Sequence, residues 1–545
     1  MYIEYLAMQK PLLVTDFLDR ARRYYGDCEA VVGTDGGRYT YDELGTRADG
    51  FSAALRRMGV EKGDRVAVLD PNTHYHLEAA YGTFQIGGIH TPLNYRLIAE
   101  DYEYILSDAD VSVVYADHEY AEKIDTIRDD VPTETFITND ISESNTEGKW
   151  HEFDDIVAQS TEYSRPSMSE DEIVTINYTS GTTGDPKGVC RTHRTETLHA
   201  QYVSIHQQIS DGDVYLWTLP MFHVNGWGHI YAITGLGGKH VCTRGIDAEW
   251  IFDTIRSENV SYLCAAPTVL NILMDRYDSE GGVKTTGDAP VRAATAGAAP
   301  PEATIRTVEE EFGWDLLHVY GATETGPLIT TSDVDRRLDD SDNRFGLKKK
   351  QGIGYLGTEV TVVDETGERV PWDGESIGEI VVRGNQVMDR YWKKPEQTET
   401  AFSDRIDGYY HMGDLAVVDE NGFIEIQDRK KDIIISGGEN ISSIELEDTL
   451  FSHDAVSDVA VIPVPSEEWG ESPKAFVVPV TANPQTSNVS ESELIEHCKG
   501  MLAGYKIPRE IEFVNELPRT ATGKIQKYEL RESEWEGEER MVGEG

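Results

Sequence analysis

The chain has 545 residues, room for about two to four folding units. Lys and Arg number 49 against 98 Asp and Glu, a formal net charge of −49 that repels phosphate backbones and excludes a nucleic-acid binder. Hydrophobic residues at 39% and aromatic residues at 9% supply a core and exclude a disordered polymer.

The first 150 residues alternate helical and strand patterns. Thr40 to Glu43 (TYDE) is a capping box, and Leu44, Ala48, Phe51, Leu55 and Met58 follow on one helical face. Gly59 and Gly63 stop that helix. Arg65 to Leu69 (RVAVL) reads as a buried strand and Tyr75 to Ile86 as the next helix. Such alternation predicts parallel sheet with helices packed on it. It continues through strands at Ile173 to Tyr178, Val214 to Leu219 and Ser261 to Ala265. From about residue 356 the texture changes. Short strands at Val360 to Val363, Glu379 to Arg383, Leu415 to Val418 and Phe423 to Ile426 alternate with Gly and Asp turns, which predicts a small β-rich unit. A last α/β piece follows Asp428. No repeat and no low-complexity linker separates these parts, so the boundaries are tight hinges.

Arg supplies 30 of the positive charges and Lys only 19. The carboxylate excess repels itself at low ionic strength, whereas molar salt shortens the screening length to about 3 Å. The expectation is a salt-rich cytoplasm. The five cysteines are scattered without a CxxC spacing, which argues against disulfides or structural zinc. The N-terminus lacks a basic segment followed by an apolar run, and no apolar stretch reaches the length of about 18–20 residues that spans a bilayer. A soluble cytoplasmic protein is expected.

Five segments carry chemistry. Tyr178 to Gly188 (YTSGTTGDPKG) follows an apolar strand and offers NH and OH donors, with Lys187 adding charge, as a polyphosphate loop requires. Its spacing is not that of a Walker A loop. Tyr320 to Gly326 (YGATETG) sets Glu324 among hydroxyls, where a carboxylate beside phosphates calls for Mg²⁺. Gly408 to Leu415 (GYYHMGDL) presents Asp414, a candidate acceptor for ribose hydroxyls. Asp428 to Ile441 runs from adjacent cations into a Gly-Gly turn. Pro518 to Ile525 (PRTATGKI) carries Lys524 on a small-residue loop.

In this order and spacing the five segments resemble the adenylate-forming superfamily of acyl-CoA synthetases, peptide-synthetase adenylation domains and firefly-type luciferases. The resemblance runs from about residue 10 to residue 531. It is nearest to the fatty-acyl-CoA ligase branch with plant short- and medium-chain acyl-activating enzymes, through LWTLPMFHVNGW (216–227), CAAPTVLN (264–271), ATAGAAPP (294–301), RGNQVM (383–388), IIISGGENISS (433–443) and TATGKIQK (520–527).

The resemblance implies an α/β fold with a large N-terminal domain of stacked α/β subdomains (residues 1–428). A β-rich subdomain would occupy about 356–428, a small mobile α+β lid 429–531, and an acidic tail 532–545. It implies an ATP-dependent ligase that makes an acyl adenylate and then an acyl-CoA, releasing pyrophosphate and AMP, with Mg²⁺ accompanying ATP and coenzyme A as cosubstrate. Thr179, Ser180, Gly181, Thr182, Thr183, Gly184 and Lys187 would hold the β- and γ-phosphates. Thr323 would touch the α-phosphate and Glu324 the metal. Gly297, Ala298 and Ala299 would line the adenine with Tyr320 stacking on it, Asp414 and Arg429 would be the ribose pair, and Gly321 and Ile426 would also belong to the ATP/AMP site. Lys524 would be the catalytic lysine. Gly437, Gly438, Glu439 and Asn440 would replace it for the thioester step by a swing about Lys431.

His223, Val224, Trp227, Gly297 and Gly326 would border the acyl pocket, with His223 a gate beside the thiol channel. Trp227 is either a gate freed by Gly226 and Gly228 or a core aromatic. His193 and His318 read as structural. Lys348 to Lys350 reads as an exposed loop or as an attractor of nucleotide phosphate. Val224 and Asn225 stand where an amino-acid-activating relative would carry an acid, which argues against a peptide-synthetase adenylation domain; an adenylating enzyme that loads a carrier protein is kept as an alternative. An aryl or methylthiopropionate substrate is another, beside a short- to medium-chain fatty acid. A homodimer would follow the family's habit.

Overall fold

The computed structural model describes residues 10–179, 186–332, 343–403, 406, 408–436, 439–466, 469–480, 489–519 and 525–535, with Glu439 and Asn440 through their backbone alone. Among these residues four sheets form. The first is eight-stranded and centres on Arg65–Leu69, flanked in parallel by Ile89–Leu93 and Val111–Ala116. The second is nine-stranded. Its parallel core runs through Val214–Leu216, Tyr262–Cys264, Arg292–Thr295 and Asp315–Tyr320.

Local signals explain many elements. Thr40 caps the helix Tyr41–Arg57 and the reciprocal Glu43 bond closes the box. Asp247 caps Ala248–Glu258, which ends on Asn259 in the left-handed region. The helices His74–Gln85, His193–His206 and His229–Leu236 lie between the two large sheets. One apolar core there gathers Leu77, Tyr81, Val174, Ala200, Trp217, Tyr231 and Leu317 from both. The outer faces are sealed by separate cores, around Tyr102 and Ile105 on the first sheet and around Ile255 and Leu273 on the second.

The expected strand at Val214 to Leu219 stops at Leu216. Asn72 explains this: its side-chain amide donates to the carbonyls of Trp217 (2.9 Å) and Leu219 (3.0 Å) and pulls the chain out of the ladder. A four-stranded antiparallel sheet follows, from Thr358–Val363, Gly378–Gly384, Tyr410–Val418 and Ile424–Arg429. The last sheet has its own core around Leu446, Val461, Ala475 and Leu494. Because neighbouring strands of the second sheet are parallel, Thr218–Asn225, Cys264–Pro267, Gly297–Ala299 and Tyr320–Gly326 all emerge at its carboxyl edge, where open α/β sheets bind ligands.

Candidate active site

The strands Ile173–Thr179 and Lys187–Thr192 pair antiparallel, with Thr179 opposite Lys187. Ser180, Gly181, Thr182, Thr183 and Gly184 lie outside the described residues. Lys187 extends its ammonium to 5.3 Å from the centre of the Tyr391 ring. Tyr391 sits on the edge strand beside Val189. Its hydroxyl donates to Glu324 Oε1 at 2.9 Å. Glu324 itself lies in the one-turn helix Thr323–Thr325, and its carbonyl accepts the Met388 N–H at 2.7 Å. Tyr391 thus joins Lys187 to Glu324.

Asp414 and Arg429 are direct partners across the small sheet, with Arg429 Nε 3.3 Å from Asp414 Oδ1. The Tyr320 hydroxyl donates to the other carboxylate oxygen at 2.5 Å. Burial and the Asp414 charge together push the Tyr320 pKa well above its usual value. Burial works against the Arg429 charge, but Asp414, Asp432, Tyr320 and Glu324 more than offset it and its pKa rises. Ile426 lies on the same strand and donates its N–H to Gln351 Oε1 at 2.7 Å. Gly297, Ala298 and Ala299 are exposed just past Arg292–Thr295. At Gly321 a Cβ would fall 1.7 Å from the Pro327 carbonyl oxygen, so only glycine fits. Gly326 stands against His199 and Gln386.

His223 opens a left-handed turn. Val224, Asn225, Gly226 and Trp227 have φ of 49°, 53°, 56° and 54°, and Gly228 has 80°. Trp227 and Gly228 donate their N–H groups four residues back, to His223 and Val224. For each of the three residues bearing a Cβ this region costs roughly 1–2 kcal/mol, most for a β-branched valine. Burial, with the Arg96 charge adding to it, pushes His223 down to about 4. Trp227 is 5% exposed and belongs to the inter-sheet core. The flanking glycines do not leave it loose: a Cβ on Gly226 would meet the Trp217 ring at 2.3 Å, and one on Gly228 would meet His199 at 2.7 Å.

Towards the C-terminus, Asp428 accepts from the Ser443 N–H (2.5 Å) and hydroxyl (3.0 Å), and Arg531 pairs with Asp432. Lys527 bonds Ser443 and Glu447, both at 2.7 Å. Lys431 is half-buried and its pKa is pushed down to about 8, by burial first and by Arg429 and Arg531 among its neighbours. Gly437, Gly438 and Lys524 lie outside the described residues, and Glu439 and Asn440 pair through their backbone with Ser436 and Ile435. Arg519 and Ile525 bridge, holding together the two ends of the segment that contains Lys524.

The lysine triplet differs from both expectations. Lys348 is 1% exposed and paired with Glu309 and Asp315, and Lys350 is paired with Asp419 and Glu425 at 2.9 Å each. These two cations are paired with carboxylates of their own fold, some buried and some partly exposed. His193 and His318 are buried and hydrogen-bonded, to the Val14 N–H and the Lys350 carbonyl. Tyr391, Arg191 and Glu196 were not foreseen. A lone arginine inside the apolar strand GVCRT was the available signal for the second.

The AMP-binding enzyme model matches residues 17–392, and the AMP-binding enzyme C-terminal domain model matches 445–524. A 2-methylpropanoate–CoA ligase of Humulus lupulus is 37% identical over 544 residues, covering 96% of both chains. A 4-hydroxybutyrate–CoA ligase of Metallosphaera sedula is 38% identical over 531 residues, covering 96% of this chain and 94% of its own. The crystal structure of an anthranilate CoA ligase with anthranoyl-AMP superposes with a TM-score of 0.84 at 26% identity, covering 97% of this chain and 98% of the other.

Proposed function

This chain belongs to the AMP-binding enzyme family, and from that premise we propose that its acid substrate is a short- to medium-chain fatty acid. It is an ATP-dependent acid–CoA ligase, forming an acyl adenylate and then an acyl-CoA thioester. The observation that carries the site reading is the convergence of Tyr320, Asp414 and Arg429 beside Glu324, Tyr391 and Lys187 at the carboxyl edge of the second sheet. The chain length is supported by the apolar environment of Phe222, Val224 and Trp227 and by the short acids that name two relatives.

A carboxylate attacking an α-phosphate brings two anions together, so catalysis is positioning plus charge stabilisation. In this reading Asp414, steadied by Tyr320 and Arg429, accepts the ribose hydroxyls. Lys187 faces the terminal phosphates, Thr323 the α-phosphate, and Lys524 both reacting anions. Among the described residues no three metal-ligating side chains gather. One carboxylate sharing the ion with phosphate oxygens suits Mg²⁺, and Glu324 supplies it. When bound, the ion would neutralise phosphate charge. Residues 429–531 act as a lid that swings about Lys431 between the two half-reactions. A salt-rich cytoplasm and a homodimer complete the proposal; among the described residues no helix is long and apolar enough to cross a membrane.

Pyrophosphate release is measured with ATP, Mg²⁺ and molar KCl over acids from acetate to palmitate, with and without coenzyme A. Release with acid alone, thioester only with coenzyme A, and a maximum between the two ends of the series are expected. Best turnover with benzoate or palmitate would overturn the chain-length reading, and pyrophosphate without thioester would favour a carrier protein as acceptor.

A further inference from the structure

Beneath the left-handed turn lies a charged pair with no access to water. Arg191, on the strand Lys187–Thr192, and Glu196, on the helix His193–His206, are both 0% exposed and bonded through Arg191 Nε and Glu196 Oε1. Asn225, the central polar residue of the turn, points its amide at the same Glu196 oxygen at 3.4 Å. Arg191 Nη1 donates to the Gln386 carbonyl at 3.1 Å, two residues before Met388, whose N–H holds the Glu324 carbonyl. Among the described residues Arg191 Nη2, Glu196 Oε2, Asn225 Oδ1 and the Tyr231 hydroxyl are buried without a hydrogen-bond partner.

A buried ion pair contributes little stability, because desolvation consumes what the attraction returns; apolar residues of similar volume often serve the fold as well. The turn, in contrast, sits in a backbone region that Val224, Asn225 and Trp227 disfavour. Its backbone bonds are local: Gly226 donates to the Met221 carbonyl, Trp227 and Gly228 to those of His223 and Val224, and the Gly226 carbonyl meets the His229 ring. The Asn225 amide ties the turn to the helix His193–His206 through Glu196.

We propose that Glu196, fixed by Arg191, is a positioning residue for the acid substrate: it holds the left-handed turn in the shape that borders the acyl pocket. The same arginine ties that turn to the segment carrying Met388, so acid and Glu324 are held in one frame. The proposal rests on the reading that the turn from His223 to Trp227 borders the acyl pocket.

Two variants test it in the acid-dependent pyrophosphate assay, alongside thermal melting. The double variant Arg191→Met/Glu196→Leu replaces the pair by apolar volume and should melt within a few degrees of the parent. Asn225→Gly removes the anchor but keeps a residue free to adopt positive φ, so it too should fold. For both, the KM for the preferred acid should rise about 10-fold, the loss expected for one hydrogen bond to a charged group. The preference among acids should narrow and the KM for ATP should stay within about 2-fold. Unchanged acid KM and acid ranking in either variant, or equal rises for acid and ATP with a large drop in melting temperature, would overturn the proposal. If the parent itself releases no pyrophosphate with any acid, the ligase reading fails and takes this one with it. A turning-over parent with indifferent variants refutes the positioning role alone.

Discussion

Replacing Tyr391 by Phe deletes one oxygen and leaves the ring in place. That oxygen donates to Glu324 Oε1 at 2.9 Å and also bonds the buried Tyr410 hydroxyl. The ring that faces Lys187 is untouched. A hydrogen bond to a charged acceptor contributes about 1.5–3 kcal/mol. Glu324 keeps some contact with water, so the lower end applies, and about 1.5–2 kcal/mol corresponds to roughly 10- to 30-fold in rate. Tyr391→Phe should therefore lower kcat/KM for ATP by that factor and leave the KM for coenzyme A unchanged. The assay is pyrophosphate release against MgATP concentration at saturating acid. Melting should shift by no more than about 2 °C, since the unfolding entropy of so long a chain is large. A kcat/KM within about 3-fold of the parent would refute the idea that Tyr391 orients the carboxylate.

Asp414→Asn should raise the KM for ATP about 10- to 100-fold while sparing the acid KM, because the amide loses both the Arg429 pairing and one acceptor face; initial rates against ATP check this. Dialysis into dilute buffer should abolish activity and native circular dichroism, and molar KCl should restore both, since a net charge of −49 is then screened within about 3 Å; full activity after dialysis refutes this. Stability should fall steeply as pH drops from 6.5 toward 4. Eight histidines (74, 76, 90, 193, 199, 229, 240 and 318) are buried, and burial holds each below its ordinary pKa. Their folded pKa values are depressed, so only the unfolded chain takes up these protons. Asp70, Glu78 and Glu447, pushed up to about 7 by burial, take up protons when folded and offset part of this. The depressed histidines outnumber the raised carboxyls, so near pH 5.5 unfolding takes up protons on balance and stability falls as pH falls. Denaturant midpoints measured from pH 7 to 5 check it, and a flat profile refutes it.

The sequence made legible whatever depends on neighbours along the chain. The Thr40–Glu43 box and the strand at Arg65 both follow from local pattern. The trio Tyr320, Asp414 and Arg429 was legible only as separate motifs. Its meeting comes from sheet register, which sets Asp414 opposite Arg429, and from an approach that spans 94 residues between Tyr320 and Asp414. Lys348 was misread for the same reason: its partners, Glu309 and Asp315, come from a preceding helix and strand. In a Lys-poor chain a run of three lysines suggested a ligand, yet Lys348 and Lys350 are spent on buried or half-buried carboxylates of their own fold.

That distribution bears on how so acidic a chain can bind anions at all. Cations placed deep against internal acids, such as Lys348 with Glu309 and Arg191 with Glu196, add little to the field outside. The field at the site is set by what stands nearest the ligand. Arg429 is half-buried and kept charged by Asp414 and Asp432 beside it, and Lys187 places its ammonium over the Tyr391 ring. On the proposed reading, two anions are brought together by the few fixed cations beside the site, and molar salt screens the more distant carboxylates. On that reading the surface charge governs solubility and any salt requirement, and the cations nearest the site govern its chemistry. Neutralising a surface carboxylate far from residues 414–429 should accordingly leave the KM for ATP alone, even as it relaxes the salt requirement.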